Sequence, residues 1–209
     1  MIDLELNSST DLKREGKSFY WASFFLPKSS KKNAGILYSI CRYFDDIADK
    51  KYEDQTKYLK DSIEDIKNNE NNTVNIFLKR NKIHKSIFID LIDGLILDQK
   101  NIKIQNTEEL IKYSYHVAGT VGLMMSKIIG VKDKKAARSA IDLGIGMQLT
   151  NIARDVCEDA QMKRIYLPAS WIPNISLANL KNSNDSNNEK DNEISSAINK
   201  LINLSEKFY

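Results

Sequence analysis

The chain has 209 residues, 42% hydrophobic and 28% charged, a balance that suits a globular domain able to bury its own core. Lys and Arg number 31 against 28 Asp and Glu, and a net charge of only +3 argues against a protein built to coat nucleic acid. Two cysteines cannot form a disulfide scaffold, and two histidines nearly exclude a multi-histidine metal site.

Eight glycines and three prolines are too few turn residues for a sandwich or barrel, so the expected class is all-α. The most apolar stretch, Val117 to Val131, is too short to span a bilayer and contains Lys127. With no signal peptide in view, the expected location is the cytoplasm, with peripheral contact to a membrane surface left open.

In chain order, residues 8–24 open a helix with Ser8 and Asp11 spaced as a capping box. Pro27 and Ser29-Ser30 break the chain, and 31–50 form a strong helix. A third helix runs from Asp54 to Asn68, and NNENNT reads as a loop. Residues 81–98 carry Ile83, Ile87, Leu91 and Leu95 on one stripe, and 99–106 is a loop. Asn106 with Glu109 opens a helix to about Val131. A long helix covers 133–161, and Pro168 and Pro173 end that region. Residues 181–193 are polar, low in complexity and read as a flexible loop before a last helix over 194–208.

Two acidic patterns stand out. In CRYFDDIAD, Asp45 and Asp49 share a helix face with Arg42. Like charges four apart repel, so a compensating group is expected, and a hard divalent cation is one candidate. Taken alone, a solvated face with an internal Arg–Asp pair is the simpler reading. In MQLTNIARDVCEDA, Gln148, Asn151, Asp155 and Asp159 form one polar stripe on an otherwise apolar helix. A buried polar network or a wet face competes there with a ligand site. Together, two helices each presenting Asp-x-x-x-Asp could face each other and hold Mg²⁺ against a diphosphate. The Glu-x-x-His pairs of a di-iron bundle and the nucleotide-binding glycine fingerprints are absent. Ala118, Gly119 and Gly122 lie within a helix and Ala140, Gly144 and Gly146 in the next. Such residues serve either close helix packing or a tunnel for a long apolar chain.

The blocks SFYWASFFLP, LYSICRYFDDIAD, YSYHVAGTVGLMM and LGIGMQLTNIARDVCEDAQMKRIYLP resemble, in order and spacing, the squalene/phytoene synthase family. The last block looks most like phytoene synthases. The resemblance implies an all-α isoprenoid-synthase bundle around a central cavity. It also implies head-to-head condensation of two prenyl diphosphates with Mg²⁺ or Mn²⁺, and NADPH only if the product is squalene. It carries Asp45 and Asp49 onto the first metal-binding motif and Asn151, Asp155 and Asp159 onto the second. Ser18, Arg42, Tyr113, Gln148 and Arg154 fall where the family contacts diphosphate or lines the reacting end. Val117, Ala118, Val121 and Gly122 fall where it lines the prenyl tunnel. Lys163, Arg164 and Tyr166 fall near the diphosphates. The favoured substrate is geranylgeranyl diphosphate, giving phytoene. A farnesyl-using squalene or dehydrosqualene synthase and a non-catalytic scaffold are the alternatives. Family members continue past the position of Tyr209. The expectation is therefore one incomplete helical domain over 1–209, C-terminally truncated, with a second chain able to complete it.

Overall fold

Pro27 has no N–H to give, but its carbonyl accepts from Lys31 N at 2.8 Å and so starts the next helix. The computed structural model describes residues 17–49, 54–99, 102–181 and 189–209. Helix α1 (Lys17–Ala22) runs into a 3₁₀ turn over Ser23–Phe25, and α2 (Lys28–Asp49) follows the proline directly, three residues earlier than expected. The proposed Ser8–Asp11 cap lies outside the described residues. On α2, Leu37, Ile40, Phe44 and Ala48 recur at helical spacing and are all buried. Phe44 meets Phe88 edge-on at 5.4 Å between ring centroids. Burying a side chain of this size contributes roughly 1.5–3 kcal/mol.

Helix α3 (Gln55–Asn68) leads into the asparagine-rich run, which was expected to be only a loop. Its last asparagine instead caps a helix that the periodicity did not reveal, α4 (Thr73–Arg80). Asn72 Oδ1 accepts from Val74 N at 2.7 Å. Asn75 Nδ2 donates to the carbonyls of Ile66 and Asn69 at 2.7 and 2.8 Å, folding the turn back on α3. Helix α5 (Lys85–Asp98) follows.

Asn106 Oδ1 accepts from Glu109 N at 3.0 Å, as its spacing suggested, and caps α6 (Thr107–Ser114). The rod continues through a π-turn (Tyr115–Gly119) into α7 (Thr120–Ile128). Asp133 caps the long α8 (Lys134–Gln161). A short α9 (Leu177–Lys181) precedes α10 (Glu189–Ser205). Of the loop expected over 181–193, residues 182–188 lie outside the described set, and Glu189–Glu193 are helical. Ile194, Ala197 and Leu201 of α10 are buried, and that apolar face draws its polar N-terminal turn into helix.

The described residues are helical apart from connections and one isolated parallel bridge between Lys103 and Ile165. None of their helices is long and apolar enough to cross a membrane. One apolar cluster joins α2, α3, α4, α5 and α7; a second joins α6, α8, α9 and α10. The candidate site is lined from both.

Candidate active site

Several helices deliver residues to one cavity, with charged and apolar positions segregated along its length. Along α2, Leu37, Tyr38 and Cys41 come first, then Arg42 and Asp45. Along α5, Leu91 and Leu95 lead to Asp98. The α6–α7 rod contributes Tyr113, then Val117, Val121, Met125 and Ile129. Helix α8 returns with Gln148, Asn151, Asp155 and Asp159. The cavity, about 820 Å³, therefore has a polar end and an apolar end. That volume lies in the upper part of the ordinary ligand-pocket range.

A long run of residues at steps of four drifts about 40° per step around a regular α-helix. From Tyr113 to Ile129 the drift would be about 160° at 3.6 residues per turn. The π-turn at Tyr115–Gly119 lodges one extra residue and takes back about 100° of it, so the tyrosine and the apolar lining share a wall.

The polar end is tied together by named contacts. Gln99 Nε2 donates to Ala48 O at 2.8 Å, joining the C-terminal ends of α5 and α2. Arg164 Nη2 donates to Asp49 Oδ1 at 2.9 Å. Arg42 pairs with Asp45 at 3.1 Å and Asp46 at 2.9 Å, and Arg154 with Asp155 at 2.6 Å. Tyr113 and Tyr166 stack at 5.0 Å and donate to opposite oxygens of Asp98, at 3.0 and 2.9 Å. The turn carrying Arg164 and Tyr166 is built by Lys163, whose φ of 64° lies in the left-handed region usual for a helix C′ glycine. Arg164 N then returns to Asp159 O at 2.8 Å, and Ala169 N to Ile104 O at 2.8 Å fixes the strap beyond.

Crowded carboxylates resist ionisation here. Burial, then the charge of Asp49, pushes Asp45 up to about 6. Burial, then Asp155, pushes Asp159 up to about 7. Burial also raises Asp98, against the pull of Arg164 and the two tyrosine hydroxyls. Burial and the neighbouring Asp98 lift Tyr113 well above the ordinary phenol value, so its hydroxyl stays a proton donor.

Arg42, Asp45, Tyr113, Val117, Val121, Gln148, Asn151, Arg154, Asp155, Asp159, Arg164 and Tyr166 line the cavity, and Asp49 reaches its rim through Arg164. Ser18 lies in α1, with its side chain outside the described set. Ala118 and Gly122 are not among the lining residues. A Cβ on Gly122 would stand 2.0 Å from Ala140 O, and one on Gly144 2.4 Å from Ala118 O, so these small residues let α7 and α8 touch backbone to backbone. Gly146 faces Phe208 and Ser205 rather than the cavity.

The squalene/phytoene synthase family model matches residues 12–209. The chain belongs to the squalene/phytoene synthase family. It is 32% identical to a 15-cis-phytoene synthase of Enterobacter agglomerans, over 92% of this chain and 70% of that one. It is 32% identical to another from Paracoccus sp., over 82% of this chain and 62% of that one. The fold matches a ligand-bound dehydrosqualene synthase crystal structure with TM-score 0.81 and 28% identity, over 97% of this chain and 73% of that one. The chain thus spans about two thirds of the length of these curated relatives. It is a member of a prenyltransferase family with that family's all-α fold.

One residue of this family member's polar end went unrecognised in the sequence. Asp98 accepts from both stacked tyrosines and faces Asp49 and Arg164. Its signal was present: the stripe Leu91, Leu95 continues at the next helical step onto an acid.

Proposed function

We propose that the chain catalyses Mg²⁺-dependent head-to-head condensation of two prenyl diphosphates, with geranylgeranyl diphosphate giving phytoene. The observation that carries this reading is a single cavity with carboxylates and guanidinium groups at one end and aliphatic side chains at the other. A prenyl diphosphate has the same polarity. The names borne by the relatives, phytoene synthase and dehydrosqualene synthase, support the same reaction class.

The residues suit a hard cation. Asp45, Asp49, Asn151, Asp155 and Asp159 offer oxygen donors only, and Asp45 and Asp159, raised first by burial and then by a neighbouring carboxylate, would be held ionised by a bound cation. Mg²⁺ keeps waters and takes substrate phosphate oxygens, so it needs few protein donors, and Mn²⁺ is the alternative. When bound, the metal neutralises charge on the diphosphate.

Arg42, Arg154 and Arg164 add hydrogen-bonding positive charge around the same leaving group. Loss of diphosphate from one substrate leaves an allylic cation. The double bond of the second attacks it, and loss of a proton closes a cyclopropyl diphosphate. A second departure of diphosphate and a rearrangement give the linear chain, which ends by proton loss in phytoene. Leu37, Leu91, Leu95, Val117 and Val121 exclude water that would quench the cations. Asp98 positions the Tyr113 and Tyr166 hydroxyls at the boundary between the charged and apolar ends.

The test is incubation with Mg²⁺ and either geranylgeranyl or farnesyl diphosphate, with and without NADPH, and identification of the hydrocarbon. A forty-carbon product without NADPH is expected. A thirty-carbon product reassigns the substrate, and absence of hydrocarbon and of released diphosphate with both overturns the reading.

A further inference from the structure

The apolar end of the cavity shares wall residues with an unusual surface. Trp21, Phe24 and Phe25 are 70%, 53% and 92% exposed, and Ile129, from the end of α7, is 50% exposed. The two segments are tied by Ser30 Oγ donating to Ile128 O at 3.3 Å. Lys28, Lys32, Lys132, Lys134 and Lys135 are exposed around them. Lys31 holds its ammonium over the Phe24 ring, 3.7 Å from the centroid, in a cation–π contact that fixes a positive charge on the aromatic cluster itself. No acid occurs between Lys17 and Phe44. Asp133, the single acid between Lys127 and Arg138, is engaged in capping α8 through Lys135 N and Ala136 N. Leu26 and Ile129 belong to this surface and also to the cavity wall.

The geometry points to a docking surface for an anionic lipid bilayer, with Trp21, Phe24, Phe25 and Ile129 entering the headgroup boundary and the lysines meeting the lipid charge. Aromatic side chains favour that depth, and each lysine near an anionic surface strengthens binding about fivefold. A second protein surface of ordinary composition would leave the five exposed lysines without partners; an anionic membrane satisfies all of them. The sharing of Leu26 and Ile129 with the cavity wall gives the contact a use: long hydrocarbon chains pass between the bilayer and the apolar end of the cavity without crossing water. That use rests on the proposed function; the docking itself does not.

The test is co-sedimentation of the 209-residue chain, without substrate or Mg²⁺, with phosphatidylcholine vesicles and with vesicles containing phosphatidylglycerol. Binding to the anionic vesicles only, weakened by salt and accompanied by a blue shift of tryptophan emission that persists in Trp171→Phe, is expected. Lys28→Ala with Lys32→Ala should weaken it about 25-fold. Phe25→Ser should weaken it at least tenfold. Both variants should keep the native circular dichroism and the same turnover of detergent-dispersed prenyl diphosphate. Absence of binding to anionic vesicles, or binding that neither variant changes, overturns the proposal. So does concentration-dependent self-association abolished by Phe25→Ser in a chain that ignores vesicles, which would assign the surface to a second copy. A chain that binds vesicles but makes no hydrocarbon would refute the proposed function and leave the docking standing.

Discussion

Arg164 lies 2.9 Å from Asp49, although 115 residues separate them in the chain. The contact joins the turn after α8 to the last residue of α2, and so holds the two acidic motifs to a common mouth. Arg164 also lowers the carboxyl values of Asp98 and Asp159.

Arg164→Ala should therefore have two effects. Asp49 is 47% exposed, so the ion pair itself contributes only about 1 kcal/mol, read as a fall of roughly 2–4 °C in melting temperature. The larger effect should fall on binding of inorganic pyrophosphate with Mg²⁺, weakened about tenfold or more by loss of a charged donor. Calorimetric titration decides it, and unchanged affinity removes Arg164 from the site.

The crowded carboxylates set a pH dependence with a definite sign. Asp45 moves from an ordinary 3.8 to about 6 and Asp159 to about 7, so folding favours their protonated forms. The stability they contribute is full below the ordinary value and is lost as pH rises through 6 and 7. In the metal-free chain, Asp45→Asn should raise the melting temperature at pH 8 and leave it unchanged near pH 4. Its gain is about 1 kcal/mol, because the Asp45 side chain is 44% exposed. A gain independent of pH would contradict the assigned cause.

The same substitution should have the opposite consequence for turnover. Asp45→Asn and Asp155→Asn are each expected to lower product formation by about a hundredfold or more while the circular dichroism stays native. Unchanged turnover in either variant excludes that carboxylate from the chemistry.

Asp98→Asn removes the anion that receives Tyr113 and Tyr166. The amide oxygen still accepts from one tyrosine, but the NH2 that replaces the other carboxylate oxygen cannot accept from the second. A loss in kcat greater than any rise in KM is expected, with Tyr166→Phe costing about 1 kcal/mol of stability. A pure KM effect would mean that Asp98 serves binding alone.

Gly122→Ala and Gly144→Ala separate packing from tunnel lining. Each new methyl would strike a carbonyl on the facing helix, at 2.0 and 2.4 Å. Overpacking of this kind costs about 1–3 kcal/mol. Melting should fall in both variants whatever substrate is bound. A variant of native stability with a shortened product would return these glycines to the cavity wall.

The helices were readable in the sequence wherever one apolar face repeated over several turns, as in α2, α5 and α8. The acidic motifs were readable because carboxylates at a spacing of four mark one face. What escaped needed tertiary partners. Helix α4 is short; Asn72 caps its start and Asn75 reaches back to α3, while its apolar side chains find their partners on other helices. The first turns of α10 look like loop until the buried face of Ile194, Ala197 and Leu201 is seen. Glycine alone could not distinguish a tunnel from a helix crossing, since both need a missing side chain and only the facing carbonyls decide. Asp98 was hidden because its partners arrive from α6 and from the turn after α8, neither close to it in the chain.

The π-turn at Tyr115–Gly119 acts as a vernier on the rod that carries it. Upstream of it hangs a tyrosine; downstream hang the aliphatic side chains, and the extra residue sets their relative phase. Shortening that turn by one residue would swing the two halves about 100° apart while leaving every helical hydrogen bond available. What this rod presents to the cavity is thus set by residue count as well as residue type.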